Sequence, residues 1–133
     1  MTDVKQVIVL RKDLNMRKGK MVAQGGHAIL KTVMKQMHVL SNPTYTIYTL
    51  VVKTDSPQHL WFKEKFKKIC VSCKDEDELF ALFMQAKAAG LWCELIKDAG
   101  DTEFHGIPTY TALAIGPDLA EKINPITGHL PLL

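Results

Sequence analysis

The apolar run Val7-Ile8-Val9-Leu10, the charged turn Arg11-Lys12-Asp13 and the helical pattern that opens at Lys18 constrain this chain more than any other feature. Aliphatic residues in unbroken succession read as a strand buried on both faces, so residues 4–11 are expected to lie inside a covered sheet. The helix that follows is expected to run from residue 18 or 19 to about residue 38. Helical spacing puts Lys20, Gln24 and His27 on one stripe. Val22, Gly26, Ile29, Val33 and Met37 form the opposite, small or apolar stripe, which is the one expected to face the core. Gly25-Gly26 inside this helix costs about 1 kcal/mol per glycine relative to alanine. Close packing of the helix on the sheet is the expected reason, with close approach of a ligand as the alternative.

Further along, Ser41-Asn42-Pro43 reads as a turn and residues 44–53 as a β-rich strand. Asp55-Ser56-Pro57 caps a short helix near residues 58–65, with proline at its first position. Residues 68–73 form another strand. Asp75 with Glu78 three residues on resembles a capping box, so the acidic cluster 75–78 is read as a helix start rather than a metal site. The helix it opens carries Leu79, Leu82, Phe83 and Ala86 as a core stripe and ends at Gly90. Strands follow over residues 91–97 and 109–115, with a loop over 98–108. Gly116-Pro117-Asp118 is expected to start a short helix to about residue 123. This alternation predicts an α/β domain spanning 1–133, with a mixed sheet of four to five strands and helices on both faces.

With 133 residues the chain is large enough for a real core. No apolar run spans a bilayer and the first residues lack the apolar core of a signal peptide, so a cytoplasmic address and no membrane partner are expected. The excess of 17 basic over 14 acidic residues is too small to imply a nucleic-acid partner by itself. Its distribution says more: Arg11, Lys12, Arg17, Lys18 and Lys20 fall together, as do Lys63, Lys65, Lys67 and Lys68. Cys70 and Cys73 have CxxC spacing, but an odd offset on a strand sends them to opposite faces, which does not suit a metal or redox pair. No metal is expected. The apolar ending Leu130-Pro131-Leu132-Leu133 packs rather than floats, and the residues leave a homodimer open.

Lys20, Gln24 and His27 bring a cation, an amide and an imidazole to a helix start, where anions are favoured. Such a surface suits a phosphate or a developing oxyanion, and His27 reads equally as a surface histidine. If the crossover strands are parallel, their C-terminal ends share one edge of the sheet, where ligands of open α/β folds bind. The loop after the first strand leads to Lys20. The loop after residues 91–97 opens Asp98-Ala99-Gly100-Asp101-Thr102. Lys20 and Asp98 are therefore expected to be neighbours although they are far apart in sequence. An aspartate, a threonine and a lysine at such a mouth can position water and stabilise an anion. The competing reading is that Asp98 and Thr102 close a turn.

The runs Val7-Ile8-Val9-Leu10-Arg11-Lys12-Asp13-Leu14, Lys18-Gly19-Lys20 to His27-Ala28, Lys97-Asp98-Ala99-Gly100-Asp101-Thr102, Ile115-Gly116-Pro117 and Ile126-Thr127-Gly128-His129-Leu130 resemble the archaeal and eukaryotic type of peptidyl-tRNA hydrolase. The resemblance covers nearly the whole chain. It implies hydrolysis of the ester between a peptide and the 3′-terminal ribose of tRNA, with no metal or organic cofactor. It also implies active-site positions at Lys20, Asp98 and Thr102, with Thr111 as a further matching site position. The chain departs from the family pattern at Gly25-Gly26, at Ala114, and in a longer segment over residues 44–66. Residues and resemblance together suggest that Asp98, with Thr102, orients or deprotonates a water, and that Lys20 and the helix start stabilise the oxyanion. Arg11, Arg17 and Lys18, beside Lys12, would hold acceptor-end phosphates, and Gln24, His27 and Thr111 would contact substrate. A Ser or Cys nucleophile is not expected, since no G-x-S-x-G elbow is present. A non-catalytic tRNA- or RNA-binding module and a deacylase of free aminoacyl-tRNA stand as alternatives.

Overall fold

The computed structural model describes residues 2–101 and 103–133. Its elements are β1 (Val4–Arg11), α1 (Lys18–Met34), β2 (His38–Ser41), β3 (Thr46–Thr49), α2 (Pro57–Lys63), β4 (Lys68–Cys73), α3 (Glu76–Ala88), β5 (Cys93–Asp98), β6 (Thr109–Leu119) and α4 (Ala120–Thr127). A four-stranded mixed sheet has the order β4-β1-β6-β5. β1 is parallel to β4, and β6 is antiparallel to both β1 and β5. β1, β4 and β5 therefore point the same way and end at one edge. Among the described residues, no helix is long and apolar enough to cross a membrane.

The aliphatic run of β1 is divided by the strand period between two cores. Val7 and Val9 join Val71, Leu113 and Ile115 of the sheet under Leu79, Leu82 and Ala86 of α3 and Ile123 and Ile126 of α4. Ile8 and Leu10 join Ile96, Ala112 and Ala114 under Ala28 of α1. The expected α/β architecture with helices on both faces is what forms. Cys70 lies against the α1 side and Cys73 in the α3 side, as their odd offset requires.

Local chemistry sets the helix starts. Asp75 Oδ1 accepts from Glu78 N at 2.9 Å, and Glu78 Oε1 reaches back to Lys74 N at 2.8 Å, a variant of the capping box shifted by one residue. Ser56 Oγ accepts from His59 N at 3.1 Å, with Pro57 in the first turn of α2.

Four expectations need correction. First, α1 ends at Met34, and residues 44–53 do not add a strand to the main sheet. Instead β3 pairs with β2 as a separate two-stranded hairpin. Asn42 makes the turn, its Oδ1 accepting from Thr44 N at 2.8 Å and Tyr45 N at 2.7 Å. Second, Gly116-Pro117-Asp118 does not open a helix. β6 runs through it, since Lys5 pairs with Asp118 and Val4 with Leu119 and the ladder continues. Proline at a strand end costs no needed donor.

Third, the buried face of α1 is not the apolar stripe. Val22 is 75% exposed, Gly26 is exposed and Ile29 half-buried; of that stripe Val33 is buried, while Gln24, Gly25, Ala28 and Thr32 complete the covered face. The helix is rotated so that Lys20 and Gln24 point at the sheet edge. A buried glutamine is tolerable there because its amide is bonded at both ends, as described below. Fourth, packing does not demand the glycine pair. A Cβ on Gly25 would meet Ile8 Cγ2 at an ordinary 3.7 Å, and one on Gly26 would meet nothing. Gly26→Ala should therefore raise stability by about 0.5–1 kcal/mol through helix propensity. A higher Tm with unchanged circular dichroism is the expected result.

Candidate active site

β1 and β5 deliver their C-terminal ends to the same edge, and α1 starts there. Arg17, the N-cap, is extended and makes no side-chain capping bond among the described residues, and the first turn carries no acid. The dipole at the start of α1 is therefore not neutralised by an acid of its own first turn.

Lys20 Nζ lies 2.9 Å from Asp98 Oδ1, with the two side chains 11% and 13% exposed. The neighbour relation inferred from strand direction is present. Gln24 Nε2 donates to the same Asp98 oxygen at 3.1 Å. Gly100 N donates to Asp98 Oδ2 at 2.9 Å, closing an Asx turn. Gly100 has φ +88°, and a Cβ there would sit 2.6 Å from the Ile107 carbonyl oxygen, so only glycine fits. Asp98 thus closes a turn and binds Lys20 with the same carboxylate. The hydrogen bond from Lys20 is the largest influence holding the Asp98 carboxyl below its ordinary value of 3.8. Burial opposes this, while Gly100 N–H, the Lys20 charge and Gln24 add to it.

Gln24 is itself held. It is 1% exposed, and its Oε1 accepts from the Thr111 hydroxyl. Thr111 sits at an irregularity: Ile96 pairs with Ala112 and Lys97 with Tyr110, leaving Thr111 as the extra residue of a β-bulge. Bulges re-aim side chains beside functional sites, and this one lies beside Gln24. Phe104 lies under the cluster, its ring centroid 5.6 Å from Lys20 Nζ, within cation–π range. Phe104 and His105 hold φ values of +65° and +53°, strained for residues with side chains. A cleft of about 650 Å³ opens above, lined by Arg17, Gly19, Lys20, Gln24, His27 and Asp98, among others.

The remaining site expectations are met unevenly. Thr102 lies outside the described residues. Thr111, expected to contact substrate, is 0% exposed and its hydroxyl supports Gln24. Gln24, expected to contact substrate, is almost wholly buried and spends its amide on Asp98 and Thr111. Arg11, expected to hold phosphate, is engaged within the fold. Its side chain is 10% exposed, grips Asp13 with two nitrogens at 3.1 and 2.7 Å, and donates to the Tyr110 carbonyl at 2.9 Å. Arg17 stays 84% exposed at the cleft rim, with Nε 3.0 Å from Glu103 Oε1. Lys18 and His27 are exposed, His27 on the cleft wall. Sequence reasoning missed Gly100, Glu103 and Phe104. Asp-Ala-Gly spells an Asx turn and could have flagged Gly100; nothing local flags the other two.

The second lysine cluster lies at the opposite end of the sheet, where β1 and β4 begin. Lys67 pairs with Asp3 at 2.6 Å, and Lys68 Nζ stands 3.2 Å from the Phe66 ring centroid. Burial pushes the Cys73 thiol up to about 11 and raises those of Cys70 and Cys93. Among the described residues, no three His, Cys, Asp or Glu side chains converge as metal ligands.

The chain's likeness to known proteins runs its whole length. The family model described as peptidyl-tRNA hydrolase PTH2 matches residues 4–133. The chain is 42% identical over 132 residues to the peptidyl-tRNA hydrolase of Methanocaldococcus jannaschii, covering 98% of this chain and 100% of that one. It is 39% identical over 129 residues to the protein of the same name from Methanopyrus kandleri, with 97% of each chain covered. It is 38% identical over 133 residues to that from Thermococcus onnurineus, again with 97% of each covered. With the match running from β1 to the last residue, this chain belongs to the peptidyl-tRNA hydrolase PTH2 family.

Proposed function

We propose that this protein hydrolyses the ester between a peptide and the 3′-terminal ribose of tRNA, releasing free tRNA, in the cytoplasm where translation generates that substrate. The observation that carries the mechanism is the shielded Lys20–Asp98 pair at the floor of a cleft beside a helix start. Membership of the peptidyl-tRNA hydrolase PTH2 family supports the reaction.

Asp98 is well placed to orient a water and poorly suited to take its proton. A carboxylate held below 3.8 is a weak base at neutral pH, whereas efficient general bases have values near the working pH. Orientation needs only a fixed acceptor, and Asp98 is fixed by donors from two directions. When the water adds to the ester carbonyl, negative charge develops on the carbonyl oxygen. The Lys20 ammonium and the N-terminal turn of α1, with Gly19 on the cleft wall, are the cationic and dipolar groups positioned to stabilise it. Gln24 is a positioning residue, holding Asp98 through an amide that Thr111 anchors. Arg17, at the rim, and Lys18, the exposed first residue of α1, would take phosphates of the acceptor end without reading sequence.

Purified protein should release tRNA from N-blocked aminoacyl-tRNA, without added metal, much faster than from free aminoacyl-tRNA. Binding without turnover would leave an RNA-binding module, and equal rates would leave a general deacylase. Lys20→Ala should lower kcat/KM by about 10²–10³-fold, the cost of removing one oxyanion donor elsewhere. Near-normal turnover in a folded Lys20→Ala protein would sink its assignment.

Asp98→Asn keeps shape but loses the charge that fixes the water, and should lower kcat by about 10²-fold, the scale of lost positioning, while tRNA affinity holds or rises. Because the Asp98 value is depressed on folding, its contribution to stability is present above the ordinary carboxylate value and is lost as pH falls through the folded one. Wild type should therefore exceed Asp98→Asn in stability at neutral pH and converge with it in strong acid, as read from denaturant midpoints.

Reversing charge at both Arg17 and Lys18 should raise KM across different tRNAs and flatten its dependence on salt. Reversal at Lys63 and Lys65, at the opposite end of the sheet, should leave both unchanged.

A further inference from the structure

The two edges of the sheet are finished differently. β4 is covered by the chain's own ending: Ser72 N donates to the Pro131 carbonyl at 2.9 Å, Leu133 N donates to the Cys70 carbonyl at 3.2 Å, and Val71 bridges Leu132. β5, at the other side, is paired along one edge to β6. Among the described residues no backbone group pairs with its outer edge. The phase of that edge follows from the ladder. The Trp92 carbonyl accepts from Gly116 N at 2.7 Å, so in the register Glu94↔Ala114 and Ile96↔Ala112 the backbones of Glu94 and Ile96 face β6. Those of Cys93 and Leu95 face outward. An unpaired edge is a template for another strand, and proteins normally blunt or cover it.

The open edge is continuous with the active-site cleft. A groove of about 630 Å³ runs between it and α1, flanked by His27 and Lys31, and shares His27, Asp98 and Ala99 with that cleft. Its far end carries an ion pair, Lys35 Nζ to Glu94 Oε2 at 3.1 Å.

We propose that the outer edge of β5 is the subsite for the peptidyl moiety of the substrate, which adds to the sheet as a short extended strand; this rests on the hydrolase reading above. The scissile carbonyl, at the peptide's C-terminus, sits at Asp98, so the peptide extends back toward Glu94 and runs in the same direction as β5. Strand addition reads backbone N–H and C=O groups, which every peptide carries. That chemistry suits an enzyme whose substrates share an ester and a backbone but no side-chain sequence. Leu95 and Cys93 lie three and five residues back from Asp98, so the contacts are complete with about five peptide residues.

The test is a length series, N-acetyl-alanyl-tRNA against N-acetyl-oligoalanyl-tRNA of two to six residues. kcat/KM should rise about tenfold in total, as expected for one or two added backbone hydrogen bonds, and level off near five residues. N-methylation of one peptide nitrogen at a time should abolish the gain with a period of two, the signature of a strand. Leu95→Pro, which deletes an outward N–H and spares the ladder to β6, should bring the ratio of long to short substrates close to one. Should that variant not fold, the N-methylated series on unaltered protein decides. Equal rates at all lengths, or loss without alternation, would overturn the peptide subsite while leaving hydrolysis intact. Absence of hydrolysis at every length would instead overturn the hydrolase reading itself. If Leu95→Pro weakens binding of deacylated tRNA as much as of the pentapeptidyl substrate, RNA occupies the groove and the proposal fails.

Discussion

The Asp98 carboxylate is the point on which the site turns. Its two oxygens accept from an ammonium, a side-chain amide and a backbone N–H, contributed by the first two turns of α1 and by the chain just beyond β5. Each donor is costly to bury alone, and each becomes tolerable because the carboxylate is there. The same anion dictates the rotation of α1. Turning the helix to bury Val22 would carry Lys20 and Gln24 away from Asp98 and leave a partly shielded anion without its partners. The exposure of Val22, at 75%, is the smaller loss.

This conflict explains where sequence reasoning failed and where it succeeded. The strand period of β1, the capping residues Asp75 and Ser56 and the turn at Asn42 are local effects, and each was legible. The Lys20–Asp98 contact was legible too, because parallel strands with helical crossovers leave few places for the ends of β1 and β5 to go. The rotation of α1 was not. It depends on a polar cluster whose other members lie far along the chain, and hydrophobic periodicity carries no record of them. Gln24 on the Lys20 stripe was visible, but its burial was not, since its amide donates to Asp98 and accepts from Thr111, a residue that the bulge in β6 sets beside it. The engagement of Arg11 was hidden for a related reason: a cation beside other cations gives no sign that Asp13 and the Tyr110 carbonyl hold it.

The hairpin β2–β3 is an addition that the core does not require. Val39, Leu40, Ile47 and Tyr48 are all more than half exposed, and the cross-strand pairs Val39–Tyr48 and Leu40–Ile47 stand on opposite faces. Both faces are solvated, unlike those of antiparallel sheets that cover a core on one side. Successive apolar residues, which identified β1 as doubly buried, thus recur in a hairpin with no cover, because pattern records hydrophobicity and not what supplies the burial.

Placement of charge, rather than its amount, separates the two ends of the molecule. The formal excess of +3 is small, and both lysine-rich stretches contribute to it equally in kind. At the start of β4 the cations are spent within the fold: Lys67 on Asp3, and Lys68 on the Phe66 ring and carbonyl. At the start of α1 the helix dipole adds to Lys18 and Lys20, and among the described residues no first-turn acid cancels it. Glu103, on the rim, is the counter-charge to Arg17 there, and with Arg17 84% exposed that pair is a weak one in water. Arg17 is thus loosely held at the rim, whereas Lys20 is held beneath it by the shielded carboxylate of Asp98.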